Sequence, residues 1–332
     1  MEGTIGFVAS LGSLGLANGE RVGWNARCSQ RKAWNGNALR VRSLGARSRR
    51  VSAPSARSTR SVALPSSWMT AFGDMVDRGF ALNEELFMVA SNALGGLEER
   101  SAHTERLLGS GGTFAFDALN MKGSVQGFVD PKSKLAWVTR ATHLCDLEFK
   151  VQMLFLVAPI TSVPHCSLIF GCNETGYFLE LDYIPREDLV SNPPNYIDKY
   201  YGPERQAFVK AATENMNVEG VIMGSLCVEE TIIRSPLHLN LQYGSDDASY
   251  RELETQCKVH LLQWLDFVAS TEELNRSRRG LMFARDAAMH KMMFRTERMR
   301  AGFMFNGDEA LAQKYAASLI GPGDEAYTGQ AS

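Results

Sequence analysis

The sequence lacks the features that mark several large classes of protein. No run of 18 apolar residues occurs among its 332 residues, so no membrane-spanning helix is predicted. No G-x-G-x-x-G, P-loop, H-E-x-x-H or G-x-S-x-G motif occurs either. The six cysteines include no C-x-x-C pair, and neither they nor the six histidines show metal-ligand spacing. We therefore expect no bound metal and no disulfide framework.

Acidic residues are nearly absent from residues 1–66, where eleven basic residues face only Glu2 and Glu20. The rest of the chain carries 24 basic and 35 acidic residues. A leading segment rich in Arg, Ser, Ala and Gly is typical of an organellar transit peptide. A secretory signal, favoured by the mildly apolar GFVASLGSLGLA, and a basic nucleic-acid-binding tail are the alternatives. We expect a disordered transit peptide over 1–66 and a chloroplast stromal location, with a mitochondrial share left open.

Beyond residue 66 the pattern is a helix, then a run of strands, then helices. Helices are predicted over 67–108, 196–212 with a break at Gly202-Pro203, 247–271, 276–300 and 308–319. Strands are predicted over 113–119, 123–129, 134–142, 146–159, 166–171, 176–185, 225–235 and 237–243. Because the strands are grouped, we expect an α+β fold with an antiparallel sheet. One domain over 67–322 and a disordered tail over 323–332 are predicted.

Several stretches carry a family resemblance that covers residues 113–320. LELDYIPREDLVSNPPNYIDKYYG resembles the red chlorophyll catabolite reductases, and HLLQWLD, FARDAAMHKMMF and FNGDEALAQKYAASLIG resemble them in spacing. AWVTRATHLCDLEFKVQMLFLVAP, followed by SLIFG, is similar to the wider superfamily of ferredoxin-dependent bilin reductases. The resemblance implies an α/β/α sandwich that binds an open-chain tetrapyrrole between the sheet and the C-terminal helices. It also implies electrons from reduced ferredoxin and no bound flavin, metal or nicotinamide.

Asp286 is the principal candidate for a proton donor. Helical spacing places four residues on its face, namely Met282, Met289, His290 and Met293. A carboxylate on a methionine-rich face is desolvated, which raises its pKa, and the methionines suit a flat, irregular pigment. His290 could hold or relay the proton. The resemblance matches Arg285-Asp286 to the family's Arg-Asp pair, in which the Asp donates a proton; the alternative is a solvated Asp paired with Arg285 or Lys291.

A second acid is expected at the start of the strand CSLIFG, where the family carries Asp or Glu. This chain has Cys166 at that position, and His165 beside it could supply a proton instead. Neighbouring strand residues face opposite sides, so both cannot line the pocket without a bulge. His165 could equally be a packed histidine. The resemblance makes Asp182, on the next strand, a turn residue before Pro185.

The run from residue 276 to residue 300 holds eight basic residues against Asp286 and Glu297. Because ferredoxin is acidic, the resemblance makes this run a docking surface, and the alternative is a solvated helix face. The docking candidates are Arg276, Arg278, Arg279, Arg295 and Arg298. Arg140 and Arg186 are candidates for binding the propionates of the substrate.

Three functions remain open at this stage. The first is reduction of red chlorophyll catabolite to the primary fluorescent catabolite, the second is reduction of biliverdin by a phytobilin reductase, and the third is pigment binding without reduction. The missing strand carboxylate favours the third. Ferredoxin and the tetrapyrrole are the expected partners, with no nucleic acid, and a homodimer is an expected form.

Overall fold

The structure is a computed structural model that describes residues 66–100, 113–118, 121–189, 195–222 and 228–321. The predicted transit peptide up to residue 65, the tail and Cys227 lie outside these residues. The helices are α1 (Ser66–Leu94), α2 (Asn195–Tyr200), α3 (Pro203–Thr213), α4 (Val228–Ile233), α5 (Asp247–Ser270), α6 (Arg276–Met304) and α7 (Glu309–Ile320). The strands are β1 (Glu98–Glu99), β2 (Thr113–Ala118), β3 (Met121–Val129), β4 (Leu135–Cys145), β5 (Glu148–Val157), β6 (His165–Asn173), β7 (Gly176–Ile184), β8 (Val218–Val221) and β9 (Leu239–Tyr243).

Within the described residues, these nine strands form one sheet. Its order is β1-β3-β4-β5-β6-β7-β9-β8, and β2 pairs with β3 beside β1. Every pairing is antiparallel. Helices lie on both sides of the sheet, so the predicted α+β class and the α/β/α sandwich are confirmed.

Alternation along the strands gives the sheet two apolar faces. On β5, Leu154 and Leu156 belong to the core beneath α6 and α7, which we call the α6 face. Phe155 lies between them and points the other way, where its ring centroid is 5.1 Å from that of Trp264 on α5. Both faces are covered by helices, and β7 is therefore buried along its whole length.

Local capping fixes where α6 begins. The side chain of Asn275 accepts a hydrogen bond from the backbone N–H of Arg278, and Asp308 caps α7 by accepting from Leu311. The predictions of helices over 276–300 and 308–319 are confirmed. Because α6 has 29 residues, it carries both Asp286 with its neighbouring methionines and the arginines predicted to dock ferredoxin.

Two predicted elements differ from the structure. The helix predicted over 67–108 ends at Leu94, because Gly95 and Gly96 take positive φ angles of 91° and 93° that favour glycine and stop a helix. The strand predicted over 225–235 is wrong over residues 228–233, which form α4. Of its two adjacent isoleucines, Ile233 is buried and Ile232 is 65% exposed. Their β-branched side chains favour a strand, but contact with α6 holds this segment as a helical turn.

Candidate functional site

A cleft lies between strands β5 to β7 and helix α6. Its free volume is about 50 Å³, and it opens to solvent. Polar residues line it on both sides, with Gln152, Ser167, Glu180 and Asp182 on the sheet and Arg234, Thr296, Glu297 and Arg300 opposite. Leu154, Ile169, Ile184, Ile233, Met293 and Ile320 complete the lining. Small-molecule sites combine apolar walls with polar groups that fix the orientation of the ligand, and this cleft is richer in polar groups than most.

Asp182 supplies a carboxylate on the sheet side of this cleft. It lies on β7 directly opposite Ser167 of β6 and is 3% exposed. Its two oxygens accept from the backbone N–H of Ser235 at 3.3 and 3.2 Å. Burial raises the pKa of Asp182, and His238, Ser235 and Arg234 only partly oppose the shift. Such a carboxyl group can hold a proton closer to neutral pH than an ordinary aspartate does.

The placement of Asp182 corrects the sequence-based expectation. It is a strand residue two positions before the end of β7, and not part of a turn before Pro185. Sequence reasoning missed its role, although the alternation of β7 already put Glu180 and Asp182 on one face. The resemblance implies a carboxylate on β6, and the structure has one on the neighbouring strand β7 instead, at Asp182.

Glu180 has a different electrostatic setting from Asp182. Its carboxylate lies 2.7 Å from a guanidinium nitrogen of Arg234 and 3.5 Å from Nε2 of His238. Burial acts to raise the pKa of Glu180, but the charges of Arg234, His238 and Arg300 outweigh it and lower the pKa. Glu180 therefore stays ionised and acts as a counter-ion rather than as a proton donor.

Asp286 is buried and paired with an arginine that sequence reasoning did not assign to it. Nε and Nη2 of Arg186 donate to the two carboxylate oxygens of Asp286 at 2.9 and 2.5 Å, and both residues are at most 1% exposed. Arg186 also donates to the backbone oxygens of Thr161 and Val163. Burial raises the pKa of Asp286, against the opposing charge of Arg186. The charge of Arg285 also acts on Asp286, but the carboxylate is held by Arg186 and is buried rather than solvated, unlike in the alternative.

His165 lies next to this ion pair on the α6 face. Its Nδ1 accepts from the backbone N–H of Val157 at 2.9 Å, so the ring proton is on Nε2, which is 3.6 Å from Oδ1 of Asp286. Burial, with the charges of Arg186 and His290, holds the pKa of His165 well below its usual value. The ring is therefore neutral at neutral pH and presents an N–H toward the carboxylate.

The helix residues predicted to share a face with Asp286 do so. Met282, Met289, His290 and Met293 are all buried, and Met293 lines the cleft. Nε2 of His290 lies 3.2 Å from the backbone oxygen of Ile320 and donates to it. His290 thereby ties α6 to the end of α7.

Of the predicted catalytic and substrate-binding residues, Met293 is the one among the residues that line the cleft, and Cys166, Arg140 and Arg186 are used elsewhere. Cys166 points to the opposite face of the sheet, where its Sγ is 3.5 Å from Nε2 of His260 on α5. Arg140 donates to Gln126 and to Glu84 of α1, so it too lies on that opposite face. The guanidinium of Arg186 lies against Asp286 rather than in the cleft lining. Alternation on β6 explains why His165 and Cys166 separate.

Four of the five arginines predicted to dock ferredoxin lie within 4.0 Å of a glutamate. Arg276 is exposed, while Arg278, Arg279, Arg295 and Arg298 lie 2.7, 2.6, 4.0 and 3.3 Å from Glu187, Glu273, Glu229 and Glu309. Exposed ion pairs of this kind contribute little and exchange partners easily. A surface of arginines with nearby acids can therefore still meet an acidic partner.

Two further properties concern the described part of the chain. None of its helices is long and apolar enough to cross a membrane. It contains no group of three or more His, Cys, Asp or Glu residues arranged to hold a metal ion.

No protein-family model matches the sequence, and no curated protein matches it. Among solved structures, the fold is similar to that of phytochromobilin synthase from tomato, crystallised as the selenomethionine protein in complex with biliverdin. The TM-score is 0.57, the match covers 72% of this chain and 82% of the synthase, and 14% of the residues are identical. At this identity the likeness establishes a shared fold, so the chain is similar in architecture to a protein that binds a bilin.

Proposed function

We propose that this chain reduces an open-chain tetrapyrrole with electrons from reduced ferredoxin. The observation that carries the proposal is the buried carboxyl group of Asp182 in a cleft beneath α6, in a fold shared with a protein crystallised with biliverdin. Single-electron reduction of a conjugated pigment makes basic intermediates, and each electron has to be matched by a proton. A carboxyl group whose pKa is raised by burial can supply that proton.

The roles of the site residues follow from their settings. Asp182 is the direct donor because it lines the cleft, and Ser235 fixes its orientation. Asp286 and neutral His165 form a second proton-holding group, and His165 lies two residues before Ser167 on the same face of β6. Cys166 has no role in this scheme, since it faces α5.

For the substrate we propose red chlorophyll catabolite, with the primary fluorescent catabolite as product. The resemblance of LELDYIPREDLVSNPPNYIDKYYG and of the spacing from Asp286 to Gly307 supports this choice. Biliverdin is the second candidate, because the similar solved structure contains it.

A pigment-binding protein without activity is the candidate from another class. The bidentate pair of Arg186 and Asp286 favours it, since a guanidinium stabilises the ionised carboxylate, which then binds the proton it would have to donate less readily than a free acid does. In that case the cleft binds pigment and no reduction follows.

We further propose the setting in which the reaction occurs. Residues 1–66 direct the chain to the chloroplast stroma, where ferredoxin docks on the arginines of α6. No flavin, metal or nicotinamide is needed, because ferredoxin delivers electrons one at a time.

The test uses the full-length chain under anaerobic conditions with reduced ferredoxin. Red chlorophyll catabolite and biliverdin are supplied in separate reactions, and product is followed by fluorescence and absorbance. Turnover of the first pigment alone supports the proposal, and turnover of biliverdin alone moves the assignment to a phytobilin reductase. Tight binding of a pigment without any turnover leaves the binding protein as the function.

A further inference from the structure

Four aromatic side chains form a compact cluster on the α6 face, beyond the cleft. We call Phe116, His143, Phe305 and Tyr315 the aromatic box. The His143 centroid lies 5.6 Å from that of Phe116 and 5.4 Å from that of Tyr315. The Phe305 centroid lies 5.3 Å from that of Phe116 and 5.9 Å from that of Tyr315. The box therefore joins β2, β4, α7 and the residue after α6.

The box contains buried polar atoms that no group in the described part of the chain satisfies. Within those residues the hydroxyl of Tyr315 and both ring nitrogens of His143 have no hydrogen-bond partner, and the two residues are 1% and 5% exposed. The backbone of Lys150 is close enough to act on the pKa of His143 but does not meet the distance and angle of a hydrogen bond. A buried polar group left unpaired costs about 1–3 kcal/mol, so two such groups in one cluster need an explanation.

The box adjoins the cleft described above. Glu297 and Arg300 line the cleft, and their charges act on the phenol of Tyr315. Ile320 lines the cleft and belongs to the same apolar core as Phe116, Phe305 and Tyr315. Strand β4, which carries His143, pairs with β5 at the side of the cleft away from β7. The box therefore lies where a ligand in the cleft would continue.

The dimensions of the cleft also call for an extension. Its floor is formed by β5, β6 and β7, which span two inter-strand spacings or about 10 Å. An open chain of four linked pyrrole rings is longer than that. A pigment that lies across the strands therefore extends past one side of the floor, and the side toward β4 leads to the box.

We propose that the aromatic box is a subsite for a terminal lactam ring of the pigment, with His143 and Tyr315 hydrogen-bonding its polar edge. This inference rests on the proposed function. A lactam presents an N–H donor and a carbonyl acceptor side by side on a flat ring. A neutral imidazole and a phenol each offer one donor and one acceptor, so they match that edge. Phe116 and Phe305 supply the apolar faces.

In this proposal the ring enters by displacing Phe116, which lies on a strand at the margin of the sheet. Phe116 is on β2, which in the described residues pairs with β3 alone. A side chain at Gly123 of β3 would collide with the Phe116 ring, so glycine there gives this ring its place. The subsite is thus closed by a phenylalanine when pigment is absent.

The test measures pigment affinity of the full-length chain without a reductant. Titrations use biliverdin and red chlorophyll catabolite with wild type, Tyr315→Phe and His143→Phe. Loss of one hydrogen bond is expected to raise the Kd about fivefold in Tyr315→Phe. The matched control is Tyr243→Phe, because the Tyr243 hydroxyl is also buried and unpaired but belongs to the core on the opposite face. Both tyrosine variants should keep or raise the Tm of the free protein.

Each outcome separates this inference from the proposed function. A wild-type Kd in both Tyr315→Phe and His143→Phe overturns the subsite and leaves the function standing. Weaker binding in these variants but not in Tyr243→Phe supports the subsite, even if no reduction is found. Failure of the wild-type protein to bind either pigment overturns both.

Discussion

The two aspartates on the α6 face are both buried, but they have different partners. Asp182 is held by the backbone N–H of Ser235 and faces the cleft, whereas Asp286 is held by the full charge of Arg186. Burial raises the pKa of both, but only Asp182 lines the space in which a ligand would sit. The settings of these residues therefore distinguish Asp182, the proposed direct proton donor, from Asp286, part of the proposed second proton-holding group.

Substitution of Asp182 should separate activity from stability. Asp182→Asn keeps the shape and an acceptor for Ser235 but removes the proton donor, so the reduction rate should fall by about 100-fold or more. The matched control is Glu180→Gln, which removes a cleft carboxylate that is already ionised. Rates from a single-turnover assay with ferredoxin check this expectation, and an equal loss in both variants would contradict it.

The same variant has an expected pH dependence of stability. The folded-state pKa of Asp182 is raised, so its stabilising contribution is present at low pH and is lost as the pH rises through the raised pKa. Asp182→Asn lacks that loss. Relative to wild type, the variant should gain stability between about pH 4 and pH 8, as measured by urea unfolding. A gain that shrinks over this range would show that the pKa is not raised.

The main effect of Asp286→Asn should be a lower free energy of unfolding rather than a loss of activity. It leaves the guanidinium of Arg186 buried without its counter-charge, which typically costs about 3–5 kcal/mol. Replacing both residues, with Arg186→Met and Asp286→Leu, should recover most of that loss. Asp117→Asn, which breaks an exposed pair with Lys122, is the control and should change little. Additive losses in the double variant would argue against direct coupling.

Residue-level prediction succeeded where the information was local. Helical spacing correctly placed Met282, Met289 and Met293 with Asp286, because these residues are within a few turns of one another. The partner Arg186 could not be predicted, since it lies one hundred positions away in the sequence. Asp182 was missed because β7 is buried on both faces, so alternation alone does not reveal which face contains the cleft.

Helix α6 is the element on which the site and the proposed docking surface meet. Its inner face carries Asp286 and Met293, while Arg295 and Arg298 point outward with side chains 70% and 47% exposed. A protein that docks on these arginines would be separated from the cleft by the width of one helix.

Charge reversal on α6 tests this arrangement. Arg295→Glu with Arg298→Glu should raise the KM for ferredoxin about tenfold at low salt and less at high salt, because steering between surface charges is screened. Affinity for pigment should not change, since neither side chain lines the cleft. Lys210→Glu on α3 is the control for a change in net charge. An unchanged KM would remove α6 from the docking surface.

At the scale of elements, the strands were the easiest part to predict. Short apolar runs between turn residues located β2 to β7 to within a few positions, because hairpins are specified locally. Residues 228–233 were assigned wrongly because their β-branched composition favours a strand, while contact with α6 fixes them as α4. The two-residue strand β1 and the short β8 carry too little pattern to be seen.

For the whole molecule, the sandwich and the cleft follow from the sheet being covered on both faces. The face under α1 and α5 buries the basic side chains of Arg205 and His260, whereas the α6 face buries the carboxyl groups of Glu180, Asp182 and Asp286. Buried carboxyl groups are costly and are kept where chemistry needs them.

The most direct test of this account follows the bound pigment through one reduction. Full-length wild type and Asp182→Asn are loaded with red chlorophyll catabolite, reduced anaerobically by ferredoxin, and monitored by absorbance and electron paramagnetic resonance. We expect wild type to proceed to a fluorescent product and the variant to accumulate a one-electron-reduced radical that lacks its proton. Formation of product by Asp182→Asn at the wild-type rate would contradict the central claim.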